Sequence, residues 1–363
     1  MYAIIELILS SALLWIYLQS AWTTLVSIVY YVCVPWVVWG ALLVLIGLKL
    51  ARIPPPESSI VKEVLGTNPL FMKRESSITE DNGNGEEYCM RVVAHRGAGF
   101  DYPENSMTAL RNMLLGEKGC TAVEIDLSTT KDNVPIIFHD FTVERLTGQT
   151  GSIKDMTWEE LQKLDITYNH PLRHKFKGGE KIALFHDVVE ECLFHGQRMI
   201  IDVKVSKPEI IDIVTDAFKK FPEMYKKTII SSLNPKIVYL IRRRDPRIVS
   251  AIAWRPQLFS RMSYQALDGL GAVWYNNLFL HLGACTLESL YEWVFSRFIY
   301  YIVGVSAVLL HKDIINPRVV QEWHERGIRV IAWTVNLPSE KSHFSRHLRI
   351  TYLTDTLLAE KVV

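Results

Sequence analysis

The chain has little cysteine: Cys33, Cys89, Cys120, Cys192 and Cys285, five in 363 residues. None has the spacing of a metal knuckle, and residues this scattered make no dense disulfide framework. Net charge is nearly absent too. Forty basic residues face 39 acidic ones, a formal +1, which excludes the electrostatic footprint of a general nucleic-acid binder. No internal repeat runs at a fixed period. No Asn-x-Ser/Thr sequon occurs, so glycosylation casts no vote for a lumenal domain. Residues 1–48 carry a single charged side chain, Glu6. They also lack the basic start of a cleaved signal peptide, and their apolar zone is too long for one.

What is present is apolar and aromatic. Hydrophobic residues make up 49%, with 10 Trp, 15 Tyr and 14 Phe, which rules out disorder of the whole chain. Ala21 to Leu48 is a 28-residue run without acids or bases other than Cys and Tyr. About 20 apolar residues cross a bilayer core as a helix, so this run predicts a span, kinked at Pro35. Ile4 to Leu18 reads as a second span or an interfacial helix. The expectation is an integral protein of the plasma membrane or an endomembrane. Lys49, Arg52, Lys62, Lys73 and Arg74 follow the run and favour a cytosolic downstream side. Pro54-Pro55-Pro56 ends the helix, and polar residues 75–88 read as an exposed spacer. The organisation expected is a membrane anchor at 1–52, a linker at 53–90 and a catalytic domain at 91–363.

Within that domain, β-branched runs alternate with helical stretches, the pattern of βα units. Nine strands are expected, at 91–95, 121–127, 134–139, 198–204, 227–233, 247–254, 305–310, 328–335 and 350–355. Residues 128–133 are too few for a parallel crossover, so 134–139 folds back as a hairpin and the other eight close a TIM (β/α)8 barrel. The strand runs end in chemistry: His95-Arg96, Glu124 and Asp126, Asp202 and Lys204, Trp333 to Asn336, Asp355. In such a barrel those ends form the active-site face.

Glu124 and Asp126 sit two apart on one strand and share a face. Paired carboxylates there raise each other's pKa. A hard divalent cation relieves this, with Asp202 as third oxygen ligand, and oxygen-only ligation suits Mg²⁺ or Ca²⁺ rather than zinc. The competing reading is a set of strand-end salt bridges to Arg96 or Lys204. His95 and His139 can serve as general acid and base, or each can be a structural histidine. Arg96 and Lys204 supply positive charge for a phosphate, and Gly97-Ala98-Gly99 lets backbone approach closely.

Taken together, His95-Arg96-Gly97, Pro103-Glu104-Asn105-Ser106, Glu124-Ile125-Asp126, His139-Asp140, Asp202-Val203-Lys204, Trp333-Thr334-Val335-Asn336 and Thr354-Asp355 resemble the glycerophosphodiester phosphodiesterase family. Within it they look most like the membrane-bound, glycerophosphoinositol phosphodiesterase-like branch. The resemblance covers roughly residues 90–360. It implies His95 and His139 as acid and base, Arg96 and Lys204 on the phosphate, and Glu124, Asp126 and Asp202 around one divalent cation, Mg²⁺ in preference to Ca²⁺. Glu104, Asn105 and Trp333 are expected to line the rest of the pocket. Two positions depart from the family pattern. Asp202 is one methylene shorter than the usual Glu, and Ala98 replaces a glycine, a small change if its φ is negative. The implied reaction is attack of the glycerol 2-hydroxyl on phosphorus, then water opening the cyclic phosphate to give glycerol 3-phosphate and an alcohol. The substrates are small glycerophosphodiesters or, in the alternative, lysophospholipids and glycerophospho-N-acylethanolamines. A non-catalytic receptor or adaptor is the remaining reading, and no protein partner is inferred. The branch usually faces outward or lumenally, against the basic flank, so the membrane side stays open.

Residues 270–310 are densely aromatic. Glu288, Glu292 and Arg297 cut them into pieces too short for a span, and strands on both sides must stay in one compartment. An apolar, membrane-contacting insert at 270–304, between strands five and six, is expected to form an interfacial helix pair.

Overall fold

A computed structural model describes residues 2–71, 88–114, 119–265 and 269–357. The chain divides into two compact units, Met1–Arg52 and Ile53–Val363.

The first unit is helical from Tyr2 to Ala51. Helix Tyr2–Ile28 runs through a π turn, Val29–Cys33, into helix Val34–Ala51. No break separates the two apolar stretches, because Gln19 and Ser20 between them do not interrupt a helix. The π turn falls just before Pro35, whose ring nitrogen cannot donate to the preceding turn. The side chains of Ser11, Thr23 and Thr24 bond back to carbonyls one turn earlier, so they expose no unmet hydroxyl donor. Ile4–Ala51, 48 residues, is long and apolar enough to cross a membrane.

The second unit is a TIM-barrel-like α/β fold. Its strands are β1 (Val92–Ala94), β2 (Ala122–Thr129), β3 (Pro135–Ile137), β4 (Ala183–Leu184), β5 (Met199–Val203), β6 (Thr228–Ser231), β7 (Ala251–Trp254), β8 (Tyr264–Gln265), β9 (Gly269–Leu270), β10 (Ala307–His311), β11 (Arg329–Trp333) and β12 (Thr351–Thr354). Parallel pairing runs β7-β10-β11-β12-β1-β2-β5-β6, and a parallel bridge, Ile230 to Ser250, leads from β6 back toward β7. β3 folds back antiparallel on β2, with Leu127 opposite Ile137, and β4 pairs antiparallel with β3. The strands alternate between two apolar clusters. Val93, Ala122, Ile200, Ile229, Ala253, Leu309, Ile331 and Leu353 share one core; their strand neighbours pack into the other, together with the helices. Two residues further along the first series, the side chains become His95, Glu124, Asp202, His311, Trp333 and Asp355.

The folded domain starts earlier than the sequence suggests. Residues 53–71 and 88–90, read as linker, are packed. Helix Ser58–Leu65 buries Val64 and Leu65 completely, and both join Met90 in the inner core at the N-terminal ends of the strands. Most of the 75–88 spacer lies outside the described residues. The interfacial helix pair is instead one helical run: helix Leu278–Val294 continues through a π turn, Phe295–Ile299, into Tyr300–Val303.

Candidate active site

The register of β2 on β5 sets Asp126 beside Asp202 and Glu124 beside Ile200. Glu124, Asp126 and Asp202 are all buried, and one oxygen from each lies within 4.8 Å of the others. Lys204, two residues past Asp202, puts Nζ 2.6 Å from Asp202 Oδ2 and 2.9 Å from Asp126 Oδ1. Arg96 reaches the same carboxylate, with Nε 3.4 Å from Asp126 Oδ2. The salt bridges of the competing reading are therefore present, and they leave a remainder. Asp202 Oδ1 is buried and accepts no hydrogen bond. Three carboxylates also face only two permanent cations, so one carboxylate is left over. It is Glu124: burial, and then the charge of Asp126, push its carboxyl up to about 8. Asp126 goes the other way. Lys204 above all holds it well below the usual carboxylate range despite burial. An oxygen-only donor set with an unused buried lone pair and an over-protonated acid fits a hard divalent cation.

The turn after β1 threads past these acids. Arg96, Gly97 and Ala98 all have positive φ, 53°, 75° and 63°. The proviso on Ala98 is thus not met: it is left-handed, a conformation costing an L-residue about 1 kcal/mol. Gly97 is required, since a Cβ there would stand 2.8 Å from that of Ala109. The turn lets the Arg96 backbone N–H donate to Glu124 Oε2 (3.0 Å) while its guanidinium reaches Glu104 (3.1 Å). Asn105 donates through Nδ2 to Asp126 Oδ2 (2.8 Å) and accepts from the Asp126 N–H (3.2 Å).

Each histidine has its own carboxylate. His95 Nδ1 lies 2.6 Å from Asp355 Oδ1, and its Nε2 is 3.8 Å from Glu124. Asn336 fixes Asp355 by donating to Oδ2 and accepting from the backbone N–H, both at 2.8 Å. His139 follows β3, where the Phe138 N–H donates to the Asp126 carbonyl (2.8 Å), and its Nδ1 lies 2.6 Å from Asp140 Oδ1. The two imidazoles are pushed apart. Burial opposes the charged form of both, but the charge and hydrogen bond of Asp355 together with Glu124 outweigh it and raise His95, whereas Lys204 adds to it and lowers His139.

Nine of the ten expected site residues are tied to this cluster by contacts or charge. Trp333 stands aside: its ring meets His311 edge-on at 5.2 Å, and its Nε1 is buried with no hydrogen-bond partner. Sequence reasoning assigned no role to Arg145. It donates to both Glu104 oxygens (2.8 and 2.6 Å) and to Asp140 (2.6 Å), joining the supports of Arg96 and His139. His311, buried at the end of β10 and missed too, carries no sequence signal beyond its place at a strand end.

Residues 95–356 match the Glycerophosphoryl diester phosphodiesterase family. The chain is similar to Glycerophosphodiester phosphodiesterase 1 of Bos taurus, 36% identical over 74% of this chain and 78% of the relative. The Homo sapiens protein of the same name is 33% identical over the same shares. Its fold is also similar to an Oleispira antarctica phosphodiesterase solved in complex with the product sn-glycerol-3-phosphate, at TM-score 0.54 and 19% identity, over 75% of this chain and 95% of that one.

Proposed function

The chain belongs to the glycerophosphoryl diester phosphodiesterase family, and on that premise we propose that it hydrolyses glycerophosphodiesters to glycerol 3-phosphate and an alcohol at the cluster around Glu124, Asp126 and Asp202. The observation that carries this is the pairing of that acidic triad with two imidazoles, each backed by a carboxylate.

Glu124, Asp126 and Asp202 would hold one divalent cation, Mg²⁺ in preference to Ca²⁺. When bound, it supplies positive charge for the phosphodiester and lowers the pKa of a coordinated hydroxyl. Arg96 and Lys204 take the phosphate oxygens, while Asn105 holds Asp126 for the ion. In the metal-free protein His95 holds its proton to higher pH than His139 does, so between the two transitions one imidazole is charged and the other is not. The pair thus begins as one acid and one base, which in-line displacement by the glycerol 2-hydroxyl needs. One imidazole takes the hydroxyl proton and the other protonates the departing alcohol. Opening of the cyclic phosphate by water runs the two roles in reverse. Asp140 and Asp355 fix the tautomers throughout.

We place the protein in a membrane through residues 1–52. A second reading keeps the chemistry and makes the alcohol, or an acyl chain on glycerol, lipid-held. The exposed apolar surface of the segment between β7 and β10 favours it. A receptor without catalysis is disfavoured because every position the chemistry needs is filled.

The test is release of glycerol 3-phosphate by the purified full chain from a panel of glycerophosphodiesters, with and without chelator. Turnover is expected to stop with chelator and return with Mg²⁺. Glu124→Gln and Asp126→Asn should be inactive but folded. Full activity of either variant in chelator would overturn the metal-assisted mechanism.

A further inference from the structure

The helices around the barrel differ in what they show to the outside. Helix Glu209–Lys220 buries Ile210, Val214, Ala217 and Phe218 and exposes Glu209, Asp216 and Lys219. Helix Pro317–Glu325 likewise exposes Arg318, Glu322 and Glu325. The helical run 278–303 does the opposite. Among its exposed positions, Phe279, Leu282, Thr286, Leu290, Trp293 and Arg297 follow a spacing of three or four and form one stripe, with Phe279 81% exposed and the exposed Glu292 off to one side. At 1.5 Å per residue the stripe is about 27 Å long. An apolar face of that size on a helix whose neighbours are charged marks an interaction surface.

Four observations point to a lipid surface as the occupant. The chain carries its own 48-residue apolar helix, long enough to cross a bilayer. Ile53, two residues beyond the end of that helix, donates its N–H to the Ile302 carbonyl (2.8 Å), in the last turn of the striped run. Arg242 fastens the same place, donating to the carbonyls of Pro54 (2.8 Å) and Val303 (2.7 Å). The charge on the stripe sits at one end, with the Arg297 guanidinium 5.3 Å from the centre of the Trp293 ring, as at a membrane interface.

The run cannot cross the bilayer itself. β7 before it and β10 after it are parallel neighbours, with Ala251 beside Ala307, so both its ends belong to one barrel. It must lie in the plane. It begins after the C-terminal end of β7, on the active-site face, where Trp274 and Tyr275 are also exposed. The segment joining β7 to the run touches the strand ends, with the Tyr264 ring edge-on to His311 at 4.7 Å, and so links the exposed apolar surface to that face.

We propose that the exposed stripe of residues 278–303 rests in the headgroup layer of a bilayer, so that glycerophosphodiesters still held in the membrane by an acyl chain enter the barrel mouth from the lipid surface. The substrate class rests on the phosphodiesterase reading above; the surface does not.

The experiment uses the full chain reconstituted in phosphatidylcholine vesicles containing a lipid with a photoactivatable acyl chain, with labelled peptides mapped by mass spectrometry. Label is expected in 278–301 as well as in 2–51, and not in 209–220 or 317–325. Phe279→Ser/Leu290→Ser/Trp293→Ser should cut label in 278–301 at least about fivefold. Hydrolysis of lysophosphatidylcholine in the same vesicles should fall alongside, while hydrolysis of glycerophosphocholine stays within about twofold. Phe279→Ser alone, at the most exposed position, should show the same split more weakly. Label confined to 2–51, or cross-linking of the stripe to a second copy, overturns the lipid surface. Equal loss on both substrates in Phe279→Ser overturns it too. Labelled protein that hydrolyses glycerophosphocholine alone overturns the substrate class. Labelled protein inactive on both refutes the phosphodiesterase reading and leaves the surface standing.

Discussion

Asp140 and Asp355 perform one task for two imidazoles, and they are held in different ways. Asp355 is locked by Asn336 through both its side chain and its backbone N–H. Asp140 depends on Arg145, which also grips Glu104 and is itself half-exposed. Charge pairs that open to solvent contribute little to stability, so the value of Arg145 lies in aim. Arg145→Ala should lower kcat at least about tenfold while costing about 1 kcal/mol or less of stability. Kinetics beside a denaturation curve check this, and a large stability loss with proportionate activity loss would sink it. Asp126, by its charge, and then Asp140 raise His139 against burial and Lys204, and Asp140→Asn removes the second of these two groups. The His139 limb of the pH–rate profile should then move to lower pH, with kcat down about 10²- to 10⁴-fold. A limb that stays in place or moves up refutes that pairing.

At the scale of elements, the inner core is closed at the N-terminal strand ends by helix Ser58–Leu65 and Met90. Leu65 is wholly buried there, so Leu65→Ala should cost about 2–5 kcal/mol. Because the site is at the other end of the strands, KM should be unchanged; chemical denaturation and kinetics read the two. Sequence reasoning found the ring strands and the β3 hairpin because their apolar alternation ends in polar chemistry and residues 128–133 are too few for a crossover. The plug escaped it. Val64 and Leu65 are two buried residues in a short helix between a proline run and a polar stretch, and nothing local marks them as core. The unbroken run 278–303 escaped for another reason. Glu288, Glu292 and Arg297 cut the apolar run into short pieces, but charges do not end a helix: a π turn carries Arg297, and Phe295 anchors it between the rings of Trp254 and Trp323, each 5.9 Å away. At the site, the triad and histidines were legible as strand-end residues. Arg145 was not, because its partners Glu104 and Asp140 meet it only in three dimensions.

For the whole molecule, the site and the stability of the barrel are linked through protons. Glu124, raised to about 8, keeps a proton in the folded metal-free chain that the unfolded chain releases near its ordinary value of 4.5. Its contribution to stability is fully present below about 4.5 and is lost as pH rises toward about 8. Asp126 and Asp355 are depressed and behave in the opposite sense. Their contribution is complete above the ordinary Asp range and is lost only in acid, so they do not mask Glu124 between pH 5 and 8 (roughly). A divalent cation held by the proposed triad would replace the Glu124 proton, and below about pH 8 its binding would have to expel it. Mg²⁺ should therefore bind more tightly at pH 8 than at pH 6.5, and at 100 times its Kd it stabilises the native state by about 2.7 kcal/mol. The rise in Tm on adding Mg²⁺, several degrees for a domain of this size, should be larger at pH 8. Glu124→Gln should weaken the metal-free pH dependence, to which raised His95 adds in the same sense and lowered His139 in the opposite one, and Asp202→Asn should abolish most of the Mg²⁺ increment. Scanning calorimetry at the two pH values decides it: equal increments, or an increment untouched in Asp202→Asn, would show that the ion does not sit on this triad.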